Sequence, residues 1–117
     1  MQILIVDVEY LVALEAEQVL AEATGSAVEI ATPRDASDVL SQRSFDLILA
    51  DASLAAGAAG PSLRRHHESG GAIIFSSVNR GHLAGVPGFE GAAVISKPFD
   101  DELLVTLVRN VRIREKD

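Results

Sequence analysis

An α/β fold, a doubly wound parallel sheet of five strands with helices on both faces, is what this sequence predicts. Three observations lead there. Five short apolar runs rich in β-formers recur along the chain, each too short to be a buried helix. Segments of helical period separate them. The runs are apolar on consecutive residues, so both faces of each strand are covered, which is the pattern of a parallel sheet between helical layers.

The strands fall at Ile3 to Val6, Val28 to Ala31, Leu47 to Ala50, Ala72 to Phe75 and Ala92 to Ile95. After the first, Val12, Ala16, Val19, Leu20 and Ala23 share one helical face, and Gly25 supplies a stop signal. Thr32 followed by Pro33 reads as an N-cap with proline at the first helical position, and Ala36, Val39 and Leu40 continue that second helix. Pro61 to Ser69, closed by Gly70 and Gly71, gives a third in which Leu63 is the one strongly apolar residue. The last helix carries the stripe Leu103, Leu104, Leu107, Val108 and Val111. It has Asp100, Asp101 and Glu102 at its positive end and Arg109, Arg112 and Arg114 near its negative end. Between Asn79 and Gly91 stand Gly81, Gly85, Gly88, Gly91 and Pro87, a density at which no long helix is stable. A fourth helix in that interval is expected to be short or absent. Right-handed crossovers restrict the sheet to a few strand orders.

With 117 residues, 48% of them hydrophobic and 23% charged, the chain reads as one globular domain over residues 1–117. Folding at this length buries roughly 65% of the unfolded chain's surface, enough for one core without metal or disulfide support. There is no cysteine to form a disulfide in any case. A formal charge of −7 repels a phosphate backbone and argues against direct nucleic-acid binding. The longest apolar stretches are five or six residues, far below the roughly 20 of a membrane span, so a cytoplasmic location and no membrane insertion are expected. Four Phe, one Tyr and no Trp leave little for an aromatic pocket, which points to a small or ionic ligand.

Open parallel sheets bind ligands beyond the carboxyl ends of their strands, so the residues following each apolar run carry the chemistry. These are Asp7, Val8 and Glu9 after the first, Asp51 after the third, Ser76 and Ser77 at the fourth, and Lys97 and Pro98 after the fifth. Carboxylates facing an ammonium group and a hydroxyl suit a hard divalent cation and a phosphoryl group carried on a carboxylate nucleophile.

With those residues in view, the chain resembles the receiver domain of two-component response regulators, a flavodoxin-like family of strand order 2-1-3-4-5. The carriers are ILIVDVE at the start, FDLILAD ending in Asp51, IIFSS ending in Ser77, and SKPF around Lys97, and they span essentially the whole chain. The resemblance implies that Asp51 accepts a phosphoryl group from a sensor histidine kinase, a phosphotransfer protein or a small phosphodonor. It implies that Ser77 follows the phosphoryl oxygens and Lys97 pairs with the charge. It also implies that Asp7, Asp51 and the backbone carbonyl of Ser53 hold magnesium, and that a cis peptide precedes Pro98. The chain then acts as a phosphoprotein in a phosphorelay and signals to a downstream regulatory protein through protein–protein contact. It is not an enzyme beyond slow self-dephosphorylation. A subset of alpha-proteobacterial single-domain receivers is similar in its Phe-Ala-Thr-Gly-like run, here Phe75 to Val78, and in its glycine-rich replacement for a fourth helix.

Departures from the family pattern shape the expectations. Val8 stands where receivers carry a second acid, so magnesium is expected to bind weakly unless Glu9 reaches over. Val94 occupies the switch-aromatic position and Val78 the small-residue position after the hydroxyl, so the usual hydroxyl-to-aromatic coupling is not expected. In the loop after Asp51, Ala55 replaces a proline and the glycine comes one place late, at Gly60. A pseudo-receiver that binds a partner without phosphorylation is the alternative these substitutions raise. A third reading takes Asp7-Val8-Glu9 as the acid-x-acid motif of haloacid-dehalogenase-like phosphatases, with Asp7 as nucleophile and Glu9 as acid/base.

Simpler roles compete at each position. Asp7 could merely cap the first helix, Asp51 could be a polar strand end and Lys97 a solvated lysine, but the three together favour a site. Of the adjacent serines only one can face it; Ser77 is expected to, with Ser76 satisfying backbone groups. His66 and His67 with Glu68 read as a solvated helix face, since neighbours on a helix point about 100° apart and cannot share an ion. The glycines from Gly81 to Gly91 lack a strand-to-helix context for cradling phosphate and read as a source of mobility.

Overall fold

The computed structural model describes the backbone of residues 1–116 and the side chains of these except 80, 83 and 112–116. Five strands form one parallel sheet: β1 (Gln2–Val6), β2 (Ala27–Ala31), β3 (Leu47–Asp51), β4 (Ala72–Ser77) and β5 (Ala93–Ser96). Their order is β2-β1-β3-β4-β5, with every adjacent pair parallel. This is the flavodoxin-like order. Four α-helices cover the sheet: α1 (Tyr10–Thr24), α2 (Ala36–Gln42), α3 (Gly60–Glu68) and α4 (Asp101–Lys116). Among the described residues, 3-10 turns at Ala52–Ala56 and Arg80–Ala84 complete it. The second stands where the glycine density forbids a longer helix.

The pleat divides the sheet's side chains into two layers. Ile3, Ile5, Leu47, Leu49, Ile74 and Ile95 pack against Ala13, Ala16 and Leu20 of α1 and Leu104 and Val108 of α4. Leu4, Val6, Ile48, Ala50, Ile73 and Phe75 pack on the other face with Ala36, Leu63, Val86 and Phe89. Phe75 and Phe89 meet edge to face with ring centroids 4.9 Å apart, an arrangement that adds about 0.5–1.5 kcal/mol beyond the area buried. Phe89 thereby anchors the irregular segment after β4 to the core.

Several elements depart in detail from the sequence reading. The buried face of α1 runs through Ala13, Ala16 and Leu20, one position round from Val12, and Gly25 closes the helix in the left-handed conformation at φ 66°. α2 starts at Ala36, three residues later than the Thr32-Pro33 signal suggests. Thr32 uses its carbonyl and hydroxyl to accept from Asp35 N–H, which forms a turn ahead of the helix rather than its first turn. Leu103 lies off the buried stripe of α4 and is 46% exposed. Because α4 runs on to Lys116, Arg109 sits mid-helix and donates to the Ala23 carbonyl at the end of α1. The side chains of Arg112 and Arg114 lie outside the described residues. His66 and His67 are not a solvated pair: a ring nitrogen of His66 lies 2.8 Å from the Ala72 carbonyl, and His67 packs against Phe89. No helix among the described residues is long and apolar enough to cross a membrane.

Candidate functional site

The carboxyl ends of β1, β3, β4 and β5 converge at one edge, where the apolar rows stop and polar residues take over. Continuing the pleat by one step, Asp7 follows Ile5, Asp51 follows Leu49, Ser76 follows Ile74 and Lys97 follows Ile95. All four extend the layer that faces α1 and α4. Ser77 extends the opposite row, after Ile73 and Phe75.

Lys97 joins the carboxylates across the sheet. Its Nζ donates to Asp7 Oδ1 and Oδ2 at 3.2 and 3.1 Å and also to Asp51 Oδ2. The side chains of Lys97, Asp7 and Asp51 are 5%, 3% and 13% exposed. Charges this far out of water persist only when paired, and a single ammonium serves both carboxylates. The Lys97–Pro98 peptide is cis. Lys97 N–H donates to the Ser77 carbonyl at 2.9 Å, which ties this corner to β4.

Asp51 has a second set of donors on the other oxygen. Its Oδ1 accepts from Ser53 N–H at 2.9 Å and from the Ser53 hydroxyl at 2.7 Å. Burial pushes the Asp51 carboxyl upward, but the Lys97 hydrogen bond, the two Ser53 donors and the Lys97 charge outweigh it and hold the group below its ordinary value. Burial likewise lowers Lys97, and the hydrogen bonds and charges of Asp51 and Asp7 outweigh it and raise the ammonium group above its ordinary value. Asp51 is therefore an ionised, partly buried carboxylate at neutral pH.

Asp7 turns the chain as well as pairs: its Oδ1 accepts from Glu9 N–H at 2.9 Å, an Asx turn ahead of α1. Glu9 itself is exposed at the N-cap of α1, and Val8 beside it is 58% exposed. Among the described residues no three His, Asp or Glu side chains lie close enough together to hold a metal ion, so Glu9 does not complete a three-carboxylate set with Asp7 and Asp51. Two carboxylates, joined through Lys97, remain as hard oxygen donors. They fit magnesium, which keeps several waters and is commonly held by one or two carboxylates.

The hydroxyl side of the site is arranged differently. Ser77 Oγ accepts from Asn79 N–H at 2.9 Å and lies 2.7 Å from His82 Nδ1. Ser76, 1% exposed, places a hydroxyl in the carboxylate row and finds no hydrogen-bond partner. The sequence expects Ser77 to face the carboxylates and Ser76 to satisfy the backbone, whereas the pleat puts Ser76 in their row and turns Ser77 toward the Arg80–Ala84 turn. The Ser53 hydroxyl and His82 join these contacts beyond the residues to which the sequence points. An Asp followed two residues on by Ser is the sequence signal of the first, an Asx turn; the second has no local signal.

Comparison with known proteins follows the same geometry. No family model matches the sequence, and no curated protein does. Among solved structures, a two-component response regulator from Clostridium difficile superposes with a TM-score of 0.82 at 18% identity, covering 100% of this chain and 99% of that one. A response regulator from Chloroflexus aurantiacus, described as putative, is 27% identical with a TM-score of 0.78, over 94% and 95% of the two chains. The receiver domain of Francisella response regulator 1452 gives 0.78 at 17%, over 97% and 98%. The structural neighbours are response regulator receiver domains. These likenesses show that the chain shares the receiver-domain fold.

Proposed function

We propose that the chain is a response-regulator receiver of a two-component phosphorelay, phosphorylated on Asp51 and acting by changing the protein it binds. The observation that supports this most is the single ammonium of Lys97 shared by two carboxylates at the strand ends. Such a group can remain with Asp7 while it takes up the charge of a phosphoryl group added at Asp51.

In the reaction, Asp51 Oδ attacks the phosphorus of the donor, a phosphohistidine of a sensor kinase or phosphotransfer protein, or a small acyl phosphate. A P–O bond forms to Asp51, and the donor's P–N or P–O bond breaks with its electron pair leaving on the donor. The lowered pKa of Asp51 keeps the nucleophile ionised without a general base. Ser53 N–H and hydroxyl orient the carboxylate through Oδ1, and Lys97 neutralises the new charge. Asp7, Asp51 and the Ser53 carbonyl would hold magnesium, which when bound neutralises phosphoryl oxygens in the same way. With Val8 in place of a third acid, its affinity is low. A cytoplasmic location accords with a kinase donor.

Intact mass spectrometry after incubation with acetyl phosphate, with and without magnesium, on wild type and Asp51→Asn, tests the proposal. One added phosphoryl group that requires Asp51 is the expected result. No addition from acetyl phosphate or from a phosphorylated histidine phosphotransfer domain at saturating magnesium would overturn it in favour of a phosphorylation-independent binding module. Phosphatase turnover lost in Asp7→Asn but kept in Asp51→Asn would favour the acid-x-acid phosphatase instead.

A further inference from the structure

The two edges of the sheet are finished differently. β2, at one edge, carries Glu29 at mid-strand in an ion pair with Arg43, and charge at that position deters a further strand from adding. β5, at the other edge, is Ala93-Val94-Ile95-Ser96, with neither charge nor proline to guard it. Its backbone is open on the outer side. Lys97 N–H is turned toward β4, where it donates to the Ser77 carbonyl. Successive residues of a strand direct their backbone groups to opposite sides, so Ala93 and Ile95 also pair with β4, and the N–H and C=O of Val94 and Ser96 point outward. Among the described residues none of these outward groups has a hydrogen-bond partner. A groove runs along each face of this edge. On the α4 face, a groove of about 530 Å³ lies between Ala93, Leu107 and Val111. On the opposite face, one of about 560 Å³ lies between Val94 and the glycine-rich segment that carries Val86 and Phe89. The second is left open because a 3-10 turn takes the place of a longer helix there.

We propose that β5 accepts an extended segment of a partner protein as a sixth strand, its backbone pairing with Val94 and Ser96 and its alternate side chains entering the two grooves. The unpaired groups select the form of the occupant. An extended chain offers a matching row of N–H and C=O groups, whereas a helix spends its own internally. Side chains of a strand alternate between faces, so the added strand needs a receptacle on each, and both are present. Charge selects its end. Among the described residues Glu90 is the one carboxylate lining either groove; it lines both and is exposed. An antiparallel segment, the slightly more stable pairing, brings its carboxyl-terminal end to Glu90, so small apolar residues followed by Lys or Arg complete the fit. A second copy of this chain fits less well. It carries a charge of −7 against −7, and the lysine that follows its β5, Lys97, is committed to Asp7 and Asp51. The proposal does not rest on the reading of Asp51 as phosphoacceptor.

The probe is the acetylated and amidated peptide Thr-Val-Thr-Val-Ala-Lys-Lys, titrated into the isotopically labelled protein and followed by NMR shifts and by hydrogen exchange of single amides. Saturable shifts at residues 90–96 are expected, with a dissociation constant of about 1 mM or tighter. Exchange at Val94 and Ser96 is expected to slow at least about fivefold, the worth of one hydrogen bond, while Ala93 and Ile95, already bonded to β4, change less than about twofold. Val94→Pro removes one outward N–H at an edge position, where proline is tolerated, and is expected to weaken binding about fivefold. Glu90→Gln alters an exposed side chain and is expected to weaken it about twofold, a difference that added salt removes. Shifts in the grooves with exchange at Val94 and Ser96 unchanged would overturn strand addition, as would the lack of any binding at about 5 mM peptide. Protection of Val94 and Ser96 that rises with protein concentration alone would overturn it in favour of pairing between two copies.

Discussion

The two halves of the strand-end site are held by opposite kinds of chemistry. On the side of β1, β3 and β5, three charges out of water satisfy one another through Lys97, and Asp51 is fixed at both oxygens. On the β4 side, one serine hydroxyl is buried without a partner and the next is bonded to a 3-10 turn on the surface. The difference teaches where each function can reside. A charged cluster with every group paired is costly to disturb and serves as a fixed electrostatic frame, whereas a neutral hydroxyl that exchanges one partner for another costs little to move.

The largest expected effect breaks the charged half. Replacing Lys97 by Met leaves Asp7 and Asp51 together and unpaired, and loss of one partner from a buried ionic cluster costs about 3–5 kcal/mol. Urea unfolding measures this directly; a loss below about 1 kcal/mol would show that the cluster does not hold the strand ends. Next comes Val8→Asp, which restores a carboxylate beside Asp7. Calorimetric titration is expected to show magnesium binding tightened at least about tenfold, and an unchanged affinity would mean that position 8 does not face the donors. A smaller effect is expected on the hydroxyl half. Ser76→Ala removes a buried group with no partner and is expected to raise stability by about 1 kcal/mol, the opposite sign to Lys97→Met. The smallest effect is on pH dependence. Because Asp51 is lowered, its stabilising contribution is present above its unfolded value, near pH 4, and is lost as pH falls through the folded value. Lys97, raised, contributes below about pH 10.4 and loses that contribution as pH climbs through its folded value. Unfolding midpoints of wild type and Asp51→Asn should therefore converge at acid pH.

Much of the fold was legible because consecutive apolar residues in short runs admit few alternatives. The runs at Ile3, Leu47 and Ala72 mark strands to within two residues at either end. The helix limits were less legible. Thr32-Pro33 is a strong cap signal, yet the chain spends three residues turning before α2 because β2 ends at Ala31 and the helix must cross back over the sheet. In the loop after Asp51, Gly60 reads as a family glycine displaced by one place. In the fold it is the residue whose missing Cβ lets the Ala55 carbonyl approach, since a Cβ would lie 2.3 Å from that oxygen.

By itself the sequence determined that Asp7, Asp51 and Lys97 stand at the ends of parallel strands, because strand ends follow from where an apolar run stops. It also determined that no long helix spans Asn79 to Gly91, because glycine density is a local property. Only the tertiary structure decided which serine shares a row with the carboxylates, since a two-residue pleat assigns faces once the register pairing Asp51 with Ser76 is set. Only it brought His82 to Ser77, a contact made by a turn whose path depends on Val86 and Phe89 seating in a core that the other strands and helices build.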